Sequence, residues 1–207
     1  MSLVPDEPQV NAWLREHGIQ HEICELQRDA DLCPDRVPEL LQLLKSPLSL
    51  YMHVAVAEAL FARKLKRAQR QEAVDVLLTI IKQNSERWGS LSSLVLNELA
   101  DNVGPENVHE IGQMALDKRY GPMRSGFVEA LRKIGNEDAI SYLKEVAKDR
   151  HMTPYALAKL GSLGLPETLG MCEEALQKPD MLYKDVIQET YVKLKRKLSK
   201  KGGHRSS

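Results

Sequence analysis

Residues 121–148 read Gly121-Pro122-Met123-Arg124-Ser125-Gly126-Phe127-Val128-Glu129-Ala130-Leu131-Arg132-Lys133-Ile134-Gly135-Asn136-Glu137-Asp138-Ala139-Ile140-Ser141-Tyr142-Leu143-Lys144-Glu145-Val146-Ala147-Lys148. Met123, Phe127, Ala130, Leu131 and Ile134 recur at three- and four-residue spacing, which puts them on one face of a helix. Pro122 stands in the first turn, where its missing N–H costs no hydrogen bond. Gly135 is placed to end the helix in a left-handed cap. A Gly-Asn turn follows, Asp138-Ala139-Ile140 opens a second helix, and Ile140, Leu143, Val146 and Ala147 form its apolar stripe. The stretch is therefore a helical hairpin. A helix with one apolar stripe is not stable alone, so each hairpin needs neighbours to bury it.

The same pattern recurs on both sides. Met52-His53 with Val56-Ala57 and Ala59-Leu60 matches Met123-Arg124 with Phe127-Val128 and Ala130-Leu131. Leu91-Ser92 with Val95-Leu96 and Glu98-Leu99, and Met152-Thr153 with Ala156-Leu157 and Lys159-Leu160, follow it too. The anchoring leucines Leu60, Leu99, Leu131 and Leu160 are 39, 32 and 29 residues apart. The helices that precede them end alike, in Leu44-Lys45, Ile81-Lys82 and Ala147-Lys148. Two helices per unit at a period of about 30–40 residues is the signature of an α-solenoid.

On these residues the chain resembles the HEAT-repeat family. Met123-Arg124 through Ala130-Leu131-Arg132-Lys133-Ile134-Gly135 looks like the second helix of such a repeat. So does Leu157-Ala158-Lys159-Leu160-Gly161-Ser162-Leu163-Gly164, and Asp138-Ala139-Ile140-Ser141-Tyr142-Leu143 resembles the first helix. The resemblance spans Asp35 to Lys197. Glu98 and Lys159 depart from the small residue expected before the anchor leucine, and the last helix, around Val186-Ile187, lacks the anchor. The expected fold is all-α, an α-α superhelix of about five HEAT-like hairpins with an N-terminal capping helix around Trp13. The expected organisation is a cap and linker over residues 1–34, the array over 35–198, and a basic disordered tail over 199–207. The last helix is expected to end near Lys197. Ile19 to Leu26 is read as a further short helix.

Composition sets outer bounds. Of 207 residues, 43% are apolar, enough for a core, and only 5% are aromatic, which favours helices over a sandwich. No run of about 18 apolar residues predicts a membrane span. The first residues lack the basic and apolar regions of a signal peptide. Three cysteines, Cys24, Cys33 and Cys172, suit a reducing cytoplasm better than a disulfide framework. The formal charge is zero, yet seven of the 29 basic residues and none of the 29 acidic ones lie from Lys193 onward. The body is therefore acidic and the tail basic. An acidic body argues against a nucleic-acid clamp, because phosphate contact needs positive surface.

The most unusual local feature is a repeated tripeptide. Arg87-Trp88-Gly89 and Arg119-Tyr120-Gly121 stand just before the second helices of successive hairpins. Stacked repeats set such turns along one edge, and arginine with a large aromatic is the pairing enriched in binding hot spots. The bland alternative is that the aromatic plugs the turn. His151 and Tyr155 extend the same edge. The resemblance implies that second helices line a concave face, where His53, Ser92, Asn97, Arg124, Glu129, Lys159 and Lys184 are the polar positions. The expected partner-binding set is Arg87, Trp88, Ser92, Asn97, Arg119, Tyr120, Arg124, His151, Tyr155 and Lys159.

Catalytic and metal signals are weak. His17, His21, Cys24 and Cys33 are irregularly spaced, and neither CxxC nor HExxH occurs. No phosphate loop or paired acid-base set stands out, so no cofactor or metal is expected. The expected function is a monomeric, non-catalytic, cytoplasmic protein-binding module, of scaffold, adaptor or immunity/inhibitor type. The alternative is nucleic-acid binding, similar to HEAT-like DNA glycosylases, through the connector Lys64, Lys66, Arg67, Arg70 and the basic tail. A third class, an enzyme similar to the HEAT-like bilin lyases, would need a chromophore-protein partner. No membrane partner is expected.

Overall fold

The computed structural model describes residues 7–84 and 92–203, with side chains described except at 92–94 and 201–203. Among the described residues there are twelve α-helices and no strand, so the chain is all-helical. No described helix is long and apolar enough to cross a membrane. The chain forms two compact units, Met1–Val103 and Gly104–Ser207.

The first unit holds α1 (Glu7–Glu16), α2 (Ile23–Arg28), α3 (Val37–Leu44), α4 (Leu50–Phe61), α5 (Arg67–Gln83) and α6 (Ser92–Asn102). Val10 and Leu14 bury one face of α1, and Gly18 at φ +77° turns the chain out of it. The second helix starts at Ile23 rather than Ile19, because Glu22 caps it with Glu25 and Asn11 Oδ1 accepts from Ile23 N at 2.9 Å. Ser49 caps α4 by accepting from Met52 N. From Met52 to Leu60 every residue of α4 except Glu58 is buried, as befits a helix packed on α2, α3, α5 and α6. Arg63 is also buried. Its guanidinium donates to Leu26 O at 3.2 Å, to Leu32 O at 2.7 Å and to Ala59 O, tying the α2–α3 connection onto α4.

The second unit holds α7 (Val108–Leu116), α8 (Arg124–Ile134), α9 (Glu137–Val146), α10 (Thr153–Leu163), α11 (Thr168–Gln177) and α12 (Lys184–Gly203). Gly135 adopts φ +63° and closes α8 as the sequence predicts, and Asn136 Oδ1 then caps α9 by accepting from Ala139 N at 2.9 Å. Phe127, Leu131, Leu143, Val146, Leu157 and Leu160 are all essentially inaccessible. Within this unit α8 packs on α10 and α10 on α12, while α7 packs on α9.

Helix α12 runs to Gly203, beyond the end expected near Lys197, so residues 199–203 are helical rather than disordered. Leu194 is buried, Lys197 Nζ donates to Ser162 O at 2.8 Å, and Ser199 Oγ donates to Lys195 O at 2.9 Å. These anchors lie on the helix just before its unexpected last turn, which runs through Lys200 and Lys201 and ends at Gly202-Gly203.

Helix α7 meets α9 over Gly112, where any Cβ would overlap the Tyr142 ring. The Tyr142 hydroxyl is in turn within reach of His109 Nδ1 at 3.3 Å and Gln113 Nε2 at 3.5 Å. Gly112→Ala is therefore expected to force the ring aside and lower stability by about 1–3 kcal/mol, read by urea denaturation.

Candidate partner-binding groove

Three turns of the second unit line a groove of about 600 Å³. They are the 3₁₀ turn Lys118–Met123 before α8, the turn around Asp149–Met152 before α10, and Leu182-Tyr183 before α12. The first turn depends on Gly121 at φ +48° and ψ −126°, a conformation that side chains strain. Nothing lies within 4 Å of the position a Gly121 Cβ would occupy, so this wall is open to close approach.

Arg124 forms the base. Its side chain is 6% exposed, Nε donates to Ala115 O at 2.7 Å, and Nη1 donates to Asp149 Oδ2 at 2.7 Å. Asp149 is 15% exposed and its Oδ1 also accepts from His151 N at 3.1 Å. Burial pushes the Asp149 carboxyl up, but the Arg124 hydrogen bond, the His151 N–H and the Lys118 charge outweigh it and hold the pKa below the usual aspartate value. Thr153 Oγ1 donates to Ala147 O at 2.8 Å and Asp149 O at 2.9 Å, which fixes the turn.

The lip is aromatic. Tyr155 is 43% exposed and Tyr183 is 58% exposed, and their rings meet edge to face with centroids 6.5 Å apart. Among the described residues they are two of three large exposed apolar side chains, the third being Tyr51. Tyr183 holds φ +50°, an uncommon conformation for a bulky non-glycine residue.

Of the expected partner-binding residues, the groove brings together Arg124, His151 and Tyr155. Two expectations are corrected by burial. Tyr120 is 8% exposed and packs edge to face on Phe127 at 5.3 Å, so it plugs the turn. Arg124 is a buried ion-pair partner, not a polar position on an open face. Arg119 is exposed but binds Asp117 at 2.6 Å, which lowers the Asp117 pKa through that hydrogen bond. Lys159 pairs with Glu129 at 2.7 Å, linking α10 to α8, and does not line the groove. Asn97 is exposed on α6 in the first unit. Arg87 and Trp88 lie outside the described residues, as does the side chain of Ser92. Sequence reading missed Lys118, Asp149, Met152, Leu182 and Tyr183. Tyr183 was within reach as a large aromatic in the turn just before α12.

A cleft of about 860 Å³ lies in the first unit between the end of α3 and one face of α5. His53 borders it, but is buried rather than on an open face. Burial lowers its pKa and keeps it neutral, against backbone hydrogen bonding at Ser46, Ser49 and Leu44. His17 stacks on Trp13 at 3.7 Å and His21 pairs with Glu25, so neither histidine joins a cluster with Cys24. Cys172 is buried and its thiol is pushed up to about 11 by desolvation and then by Glu173, which leaves it inert at neutral pH.

The chain matches no model of a known protein family, and neither curated proteins nor solved structures match it.

Proposed function

We propose that the chain is a HEAT-like array of helical hairpins that binds another protein without catalysing a reaction, and that the groove before α8, α10 and α12 is the contact surface. The observation that carries this is the pair of exposed tyrosines, Tyr155 and Tyr183, at the lip of a groove whose base is a neutralised ion pair. Tyrosines supply large, rigid contact area at little entropic cost. The successive packing of α8, α10 and α12 supports the hairpin reading, as does the agreement of α8 and α10 with the second-helix pattern. Rigid display is the mechanism: a pre-ordered surface loses little entropy when a partner docks. An adaptor or an inhibitor that occludes an enzyme both fit. Free thiols at Cys24, Cys33 and Cys172 suit the reducing cytoplasm, where we place it.

The second reading is nucleic-acid binding. Lys64, Lys66, Arg67 and Arg70 are exposed and favour it. Against it, part of the basic end of α12 is engaged within the chain: Lys193 with Glu189, Lys195 over the Tyr191 ring at 5.5 Å, and Lys197 with Ser162. Capture from source-cell lysate on the tagged protein, with nuclease and a salt series, separates the two. A stoichiometric protein that survives nuclease is expected. Recovery of nucleic acid alone, lost steeply as salt rises, would replace the proposal with the second reading.

A further inference from the structure

We infer that the occupant of the second-unit groove is an extended peptide segment of the partner that carries a carboxylate beside an aromatic or large aliphatic side chain. This rests on the protein-binding reading above and specifies its ligand chemistry.

Three observations converge on it. The first is charge. Around the groove Arg119 is matched by Asp117, Arg124 by Asp149 and Arg150 by Asp180. Lys118 is left in excess. It is exposed and acts on Asp149, but that carboxylate is already held by Arg124. Among the described residues no carboxylate forms an ion pair with Lys118, so the groove offers a net positive charge to a ligand acid.

The second is the apolar lining. Pro122, Met152, Leu182 and the two tyrosines surround a volume of about 600 Å³, in the range of about 300–1,000 Å³ that suits a small ligand or a few side chains. The Tyr155–Tyr183 edge-to-face pair leaves ring faces for a further aromatic or aliphatic group. The third is the backbone. The open space at Gly121 admits a main chain at van der Waals distance, which a side chain there would block. Tyr183 is held in a left-handed conformation while more than half exposed, so its strain is not repaid by burial of its own ring.

The test uses the full chain and a fluorescein-labelled hexapeptide, Glu-Asp-Phe-Asp-Leu-Glu, read by fluorescence anisotropy. Two control peptides replace every acid by lysine, or phenylalanine and leucine by serine. The acidic aromatic peptide is expected to bind and both controls to bind at least about tenfold more weakly. Tyr183→Gly is expected to weaken binding by at least about tenfold while leaving the melting temperature unchanged or raised, since glycine accepts the left-handed conformation. Lys118→Ala is expected to weaken it severalfold and to flatten its salt dependence. Equal binding of the lysine peptide, no binding of any peptide to millimolar concentration, or insensitivity to Tyr183→Gly would overturn the inference. So would displacement of the peptide by a labelled oligo-dT that itself loses affinity in Lys118→Ala. If the peptide fails but capture of a protein partner still requires Tyr155 and Tyr183, only this inference falls. If capture fails as well, the binding reading falls with it.

Discussion

Arg124→Ala is expected to destabilise the second unit by about 3–5 kcal/mol, enough to unfold much of it at physiological temperature. The substitution leaves the Asp149 carboxylate, 15% exposed, without its cation, and the Ala115 carbonyl at the end of α7 without its donor. Both groups then bear a desolvation cost, which the His151 N–H and the Lys118 charge offset only in part at Asp149. The double variant Arg124→Met with Asp149→Asn is expected to recover part of the loss, because it removes the orphaned charge as well as the pair. The pH dependence has a defined sign. The folded pKa of Asp149 is depressed, so the pair's contribution is present above the unfolded value of about 3.9 and is lost as pH falls through the folded value. Urea denaturation from pH 7 into the acid range reads this, and Asp149→Asn is expected to flatten the acid limb. A stability unchanged by Arg124→Ala would mean that the groove base is not built on this pair.

Tyr120→Ala is expected to cost about 3 kcal/mol, close to the figure for emptying a buried aromatic site. The ring is 8% exposed and meets Phe127, itself inaccessible, edge to face at 5.3 Å. Its removal opens a cavity at the junction of the 3₁₀ turn and α8. Tyr155→Ala is the informative contrast. That ring is 43% exposed, and its loss is expected to change stability by no more than about 0.5 kcal/mol. Thermal or urea denaturation of the two variants side by side separates a plug from a contact residue. Equal small effects would return Tyr120 to the list of contact residues.

The contrast shows what a linear pattern can carry. Leu131, Leu160 and Phe127 were legible as core because their spacing alone places them on one helix face. Gly135 was legible as a cap because the required φ is nearly glycine's own. Tyr120, in the turn before α8, and Tyr155, in the first turn of α10, both stand near where second helices begin, and the sequence gives no sign of opposite exposure. What separates them is the path of the chain through Gly121 at φ +48°, which turns Tyr120 inward onto Phe127. Arg124 looked like an open polar position because its partner, Asp149, is 25 residues away, just past the far end of the same hairpin. Lys118 gains its meaning only once every nearby arginine is seen to be matched. The end of α12 was misjudged because its stabilising contacts come from Ser162 on α10, not from its own composition.

The central claim is that a protein partner is held at the Tyr155–Tyr183 lip. Its most direct test is quantitative capture from the same lysate on wild type and on Tyr155→Ala with Tyr183→Ala, both nuclease-treated and matched for melting temperature. The account predicts one stoichiometric protein on the wild type and its loss from the double variant by at least about tenfold. The same protein retained in equal amount on the folded double variant would contradict it.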